Sequence, residues 1–154
     1  MKISFIDNVS FIKDKTKKKT FYNRVTNLIK TVVRKEDKKV ARVTIVYCND
    51  DFIRDYNKKF LGHDYETDII TFHDFDENEK IEGELLVSAD TVRANSKRYG
   101  STFLDEMYRV ICHGILHLCG YNDKTVKEKQ EMRSKENHYL KINKDLTKDA
   151  GKNN

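Results

Sequence analysis

The sequence contains no proline, where average usage of about 5% would place roughly seven in a chain of this length. Beside so many lysines and asparagines, this absence reads as a compositional bias of the source, not as function. Cysteine is nearly as scarce: Cys48, Cys112 and Cys119 are the three present. None forms a Cys-x-x-Cys pair and the count is odd, which points to reduced thiols in the cytosol and away from a disulfide framework. No run approaches the ~20 apolar residues of a membrane span. The opening Met1-Lys-Ile-Ser-Phe-Ile-Asp7 turns polar too soon for a secretory signal. What remains is 154 residues, 38% hydrophobic and 36% charged, enough for one domain with a buried core. The apolar residues fall in periodic runs, which separates the chain from a disordered polyelectrolyte. A formal charge of +5 permits a nucleic-acid partner without requiring one.

The runs predict an alternation of strands and helices. Residues 2–6 read as a short strand. The basic stretch Lys13–Lys19 reads as a solvated loop or a phosphate-contacting patch. From Thr20 the spacing becomes helical, with Phe21, Val25, Leu28 and Val32 on one stripe. Val40–Cys48 is β-branched and alternating, hence a second strand. Asn49-Asp50-Asp51 opens a helix that buries Ile53, Tyr56 and Phe60 and ends at Gly62. Asp68–Phe72 is a third strand, Asp74–Lys80 an acidic loop, and Glu82–Ser88 a fourth strand. Ser88 or Asp90 then caps a helix ending at Tyr99-Gly100. A central helix starts at Ser101-Thr102. The capping box Thr125-x-x-Glu128 opens a last helix that runs to about Ile142.

The chemistry concentrates in the central helix and the turn after it. His113 and His117 lie four residues apart, one turn from each other on one helical face. That face also carries Glu106 and Val110, and it is distinct from the apolar stripe of Leu104, Tyr108, Ile111, Ile115 and Leu118. Gly120 provides for a left-handed helix end, and Asp123 follows where a returning chain can reach back. Two imidazoles and a carboxylate can fill three corners of a tetrahedral zinc ion and leave the fourth for water. The reading is one catalytic Zn2+ per chain on His113, His117 and Asp123. Cys112 points about 100° from His113 around the helix and reads as packing. The spacing His-x3-His-x2-Gly-x2-Asp is that of a metzincin-type peptidase, but Gly114 stands where such an enzyme has its general-base glutamate. A peptidase reading keeps the metal cage and loses the catalyst.

The stretch His113-Gly-Ile-Leu-His-Leu-Cys-Gly-Tyr121 resembles the signature of the YbeY family of rRNA-maturation endoribonucleases. The similarity extends over roughly residues 40 to 140. It takes in Asp64, Thr67-Asp68 and Phe72, the segment Gly83-Glu84-Leu-Leu-Val-Ser88, Glu106, Met132 and Glu136. The resemblance implies a compact α/β (α+β) domain over residues 1–143, with a small, mostly parallel four-stranded sheet, about five helices and the zinc site on the central helix. Residues 144–154 are expected to form a charged, disordered tail. It also implies zinc-dependent cleavage of single-stranded RNA, at the 3′ end of small-subunit rRNA and in ribosome quality control. The expected partners are the small ribosomal subunit and its assembly factors, in the cytoplasm and away from membranes. Two positions depart from the family pattern. Asp123 replaces the family's third histidine, with Asn122 before it, and Leu61 replaces an arginine that would face phosphate. Lys58, Lys59 and Arg109 are the candidates to stand in for that arginine: Lys58 and Lys59 as substrate contacts, Arg109 with Glu106 beside the metal ligands. His63 and His73 read as surface or groove histidines. Two rival readings are a metal-dependent hydrolase of another substrate, such as a peptide, and an assembly factor whose zinc is mainly structural. Gly114 argues against the first and Leu61 favours the second.

Overall fold

The computed structural model describes residues 1–152, with side chains described through Leu146. The elements follow in the order β1 (Lys2–Asp7), α1 (Lys15–Lys35), β2 (Val40–Cys48), α2 (Asp50–Leu61), β3 (Ile69–Phe75), β4 (Ile81–Ser88), α3 (Ala89–Tyr99), α4 (Phe103–Leu118) and α5 (Val126–Lys152). The strands form one sheet in the order β1-β2-β4-β3. β1 and β4 both run parallel to β2, and β3 pairs antiparallel with β4 as a hairpin edge. The architecture is the single α+β domain with a mostly parallel sheet that the sequence implied.

Side-chain alternation decides what each face of the sheet meets. Val43, Ile45 and Tyr47 of β2 and Leu85 and Val87 of β4 turn to one face, where α1 and α4 pack with Phe21, Val25, Leu28 and Ile111 in one core. Val46, Cys48, Ile70 and Leu86 turn to the other face, which Ile53 of α2 covers. α4 lies between the sheet, α1, α3 and α5 and is buried on most sides, with Met107, Ile111, Ile115 and Leu116 at zero exposure. Gly114 allows this fit. A Cβ there would stand 2.6 Å from Ile69 Cδ1, 3.0 Å from Leu85 Cδ2 and 3.2 Å from Thr71 Cγ2, so the helix backbone rests directly on the β3–β4 hairpin.

Three boundaries lie several residues from expectation. α1 starts at Lys15, not Thr20, because the Asp14 carboxylate accepts the Lys17 N–H at 2.9 Å and caps it; most of the basic stretch is therefore helix. β3 continues to Phe75, since Asp74 and Phe75 find partners in Glu82 and Ile81. The turn Asp76–Lys80 closes the hairpin. α5 runs past Ile142 to Lys152; the rest of the expected tail, at residues 153–154 and in the side chains beyond Leu146, lies outside the described residues. Between the two offered caps of α3, Ser88 is the N-cap and accepts the Thr91 N–H. The Thr125/Glu128 box forms in both directions, at 3.0 and 3.1 Å.

Candidate metal centre

α4 ends in a turn that sends the chain back along its own last residues. The Gly120 N–H donates to the His117 carbonyl and the Tyr121 N–H to the Leu116 carbonyl, the bond pair of a Schellman motif. Gly120 adopts φ +104°, a conformation open to glycine at little cost. The reversal carries Asp123 over the histidine face. His113 Nε2 lies 3.0 Å from His117 Nε2 and 3.1 Å from Asp123 Oδ2, and His117 Nε2 lies 3.5 Å from the same oxygen. Tetrahedral ligands about 2.0–2.1 Å from one zinc ion stand roughly 3.3 Å apart, which these separations bracket.

The far nitrogens decide what the near ones can do. The His113 Nδ1–H donates to Glu136 Oε2 at 2.8 Å, and the His117 Nδ1–H donates to the Tyr121 carbonyl at 2.8 Å. Neither oxygen can donate, so in the neutral rings both protons sit on Nδ1 and both Nε2 lone pairs face Asp123. Three acceptors converge with no donor among them, an arrangement that calls for a cation. Burial works against a positive His113, but Glu136, then Asp123 and Asp68, outweigh it and raise its pKa. His113, His117 and Asp123 form a group that could hold a metal ion, their ligand atoms all within 4.8 Å of one another.

Behind each histidine stands a support. Glu136 is 4% exposed, and its second oxygen accepts Arg109 Nη1 at 3.0 Å, while Arg109 Nη2 donates to Asn137 Oδ1 at 3.0 Å. Tyr121, whose carbonyl holds His117, is itself fixed by its hydroxyl donating to Glu36. Glu36 also accepts from Tyr139 at 2.9 Å and Lys135 at 3.4 Å. Such outer partners set ring orientation and ligand basicity.

The cluster opens on a cleft of about 470 Å³ lined by His113, Asp123, Asp68, Glu106, Arg109 and Glu136, with Lys129 and Arg133 among its other residues. Burial pushes the Asp68 carboxyl up, with His113 opposing. Burial likewise raises Glu106, against the pull of Arg109. Among the residues singled out from sequence, Glu106 and Arg109 join the three ligand candidates in this cleft. Lys58 and Lys59 stand on the exposed last turn of α2, and neither they nor Leu61 line it. His63 faces Tyr65 at 5.3 Å between ring centroids. His73 lines a shallow cavity on the sheet with Arg42 and Glu82. Cys112 is fully buried in the core, its thiol pushed up by burial, in keeping with packing. Sequence reasoning placed Asp68, Tyr121 and Glu136 in the family resemblance but assigned them no role in the site, and it passed over Glu36. The capping box fixes where α5 starts, and the 3.6-residue period from there would have faced Glu136 and Met132 inward together.

Comparison with known proteins bears on the same residues. The sequence profile of the family described as Endoribonuclease YbeY matches residues 8–144. A Cytophaga hutchinsonii protein named Endoribonuclease YbeY is 43% identical over 116 residues, covering 75% of this chain and 81% of the relative. A Parabacteroides distasonis protein of the same name is 44% identical over 118 residues, covering 77% and 82%. Among solved structures, the solution structure of a Thermotoga maritima protein superposes with a TM-score of 0.66 at 26% identity, covering 100% of this chain and 96% of that one.

Proposed function

The chain belongs to the YbeY family of endoribonucleases, and on that footing we propose that it is a zinc-dependent endoribonuclease of single-stranded RNA with His113, His117 and Asp123 as its zinc ligands. The observation that carries the proposal is the convergence of two oriented Nε2 lone pairs and one carboxylate oxygen at the mouth of a cleft. Bound there, zinc would serve as a Lewis acid toward a phosphoryl oxygen or a water molecule. The protein's own groups do the rest. Glu136 and the Tyr121 carbonyl hold the Nδ1 protons, so the rings cannot rotate out of register. Arg109, stiffened by two acceptors, places a guanidinium edge in the cleft, and Arg133 and Lys129 add charge for a phosphate backbone. Asp68 and Glu106, whose carboxyls burial pushes up, line the same cleft and are the carboxyl groups available there for proton transfer. Lys58 and Lys59 would meet only RNA that continues past the cleft.

From the family resemblance we extend the proposal to the 3′ end of small-subunit rRNA as substrate, to the small subunit and its assembly factors as partners, and to the cytoplasm as location. Three buried free thiols suit a reducing compartment, and no described helix is long and apolar enough to cross a membrane. The reading as a non-catalytic assembly factor rested on Leu61. That side chain is 45% exposed and outside the cleft, while Arg109 and Arg133 supply guanidinium groups within it. Two features weigh against the peptidase reading: Gly114 lacks the general-base carboxylate, and a larger residue there would press on the side-chain ends of Ile69, Leu85 and Thr71.

The test pairs metal analysis with cleavage of single-stranded and duplex RNA and of casein by metal-loaded and chelated protein. We expect one zinc per chain, cleavage of the single strand only, and loss on chelation. His113→Ala, His117→Ala and Asp123→Ala should each lower zinc affinity on the order of a hundredfold or more. Full zinc retention by the histidine variants would show that the metal sits elsewhere, and casein hydrolysis would overturn the substrate class.

A further inference from the structure

A second cleft, of about 540 Å³, lies on the other side of Glu106 and Arg109, the two residues it shares with the metal cleft. Three helices wall it. α1 contributes Arg24, α4 contributes Tyr108 and Asp105, and α5 contributes Lys141 and Lys144. The lysines are three residues apart and so share one face of α5. Four cations face two carboxylates here, and one of the cations, Arg109, is already committed to Glu136. Among the described residues, no carboxylate lies within ion-pair distance of Arg24, Lys141 or Lys144.

Lysines on an exposed turn are ordinary by themselves. Arg24 is not. Its guanidinium carbon lies 4.7 Å from the centroid of the Tyr108 ring, so stacking holds the head in place. Its Nε–H is buried and has no acceptor among the described residues. That buried edge is turned away from solvent, so Arg24, half-buried and lining the cleft, presents a guanidinium held by the Tyr108 ring beside two lysines that have no carboxylate partner among the described residues. The planar fork of arginine matches phosphate geometry, and flanking lysines add point charge.

We propose that this second cleft binds the phosphate backbone of the RNA strand beyond its scissile bond, through Arg24, Lys141 and Lys144. The inference rests on the reading that the substrate is single-stranded RNA. The strand enters the metal cleft, passes Arg109 and continues between α1 and α5. Cleavage then favours strands long enough to occupy both clefts, with length read by charge and not by base identity.

Binding of fluorescein-labelled, fully 2′-O-methylated oligouridylates tests this, with the strand checked on a denaturing gel to be intact after each titration. The oligonucleotides are about four and about twelve nucleotides long, titrated against zinc-loaded protein between roughly 50 and 200 mM salt. For the longer strand, Lys141→Gln/Lys144→Gln should make the log–log salt slope shallower by about 1.4, two single-strand phosphate contacts' worth, so that the affinity lost across that range is about sevenfold less than in the wild type. The four-nucleotide strand should bind the two proteins alike. Arg24→Gln should shift the slope by about 0.7, with Arg24→Lys restoring it. Because Lys141 and Lys144 are exposed, their replacement leaves the fold intact even if Arg24→Gln does not. An unchanged slope for the long strand in the double variant overturns the inference while the nuclease reading stands. A wild type that binds neither strand overturns both.

Discussion

Gly114 is where the packing of a single residue reaches the chemistry. Alanine in a helix interior is normally favoured over glycine by about 1 kcal/mol. Here the added methyl would press on Ile69, Leu85 and Thr71 together, and overfilling a packed core costs about 1–3 kcal/mol. We expect Gly114→Ala to lose about 1 kcal/mol net in urea denaturation. It should also weaken zinc binding severalfold, since His113 precedes the displaced residue and His117 follows one turn later. A stabilised variant would mean that the hairpin yields without cost. At this scale the sequence was most informative where an atom's role follows from local spacing. The histidine pair is legible because four residues make one helical turn, and Gly120 because a helix end needs a left-handed residue. Glu136 lies 23 positions from His113, so no periodic rule joins the two. Tyr121 serves through its carbonyl, an atom every residue possesses and no motif marks.

Among the elements, the end of α1 holds the turn that carries Tyr121 and Asp123 in place. Glu36 caps α1 and collects hydrogen bonds from Tyr121 on the turn and from Tyr139 and Lys135 on α5. Burial tends to raise the Glu36 carboxyl, but the donors of Tyr121 and Tyr139 and the charge of Lys135 outweigh it and hold it below the ordinary value. A carboxyl with a depressed folded-state pKa contributes stability that is complete above its unfolded value, about 4.3. That stability is lost as pH falls through the lower, folded value. Glu36→Gln should therefore be less stable than the wild type by about 2 kcal/mol near neutrality, with the gap closing once the pH drops well below that of a free glutamate. Urea titrations at several pH values measure it, and a gap that stays constant into acid would remove Glu36 from the network. The elements themselves were readable from apolar period and caps. Their ends were not, where a partner from elsewhere settles the matter. Asp74 and Phe75 become strand because Glu82 and Ile81 are there to pair with them.

For the whole molecule, periodicity told which face of each strand is buried but not which strands are neighbours, because both neighbours of a central strand demand the same alternation. The order β1-β2-β4-β3, with β3 reversed, is a tertiary choice. It places the sheet's two kinds of seam at very different separations along the chain. Lys2 pairs with Arg42 and Arg42 with Glu82, some forty residues apart each time, whereas Phe75 meets Ile81 across a tight turn. The close seat of Gly114 is made of Ile69, Thr71 and Leu85, all on that local hairpin.

This separation sets an order in time. A hairpin closes in about 1–10 μs, while parallel seams between distant segments wait on loop closure. α4 can settle on β3–β4 before β1 has found β2. Pulse-labelled hydrogen exchange during refolding should show amides of β3, β4 and α4 protected ahead of those in β1, and protection of the β1–β2 seam first would refute it. The histidine pair is then seated early in folding, and Glu36 and Arg24 join it only when α1 docks on α4 and α5.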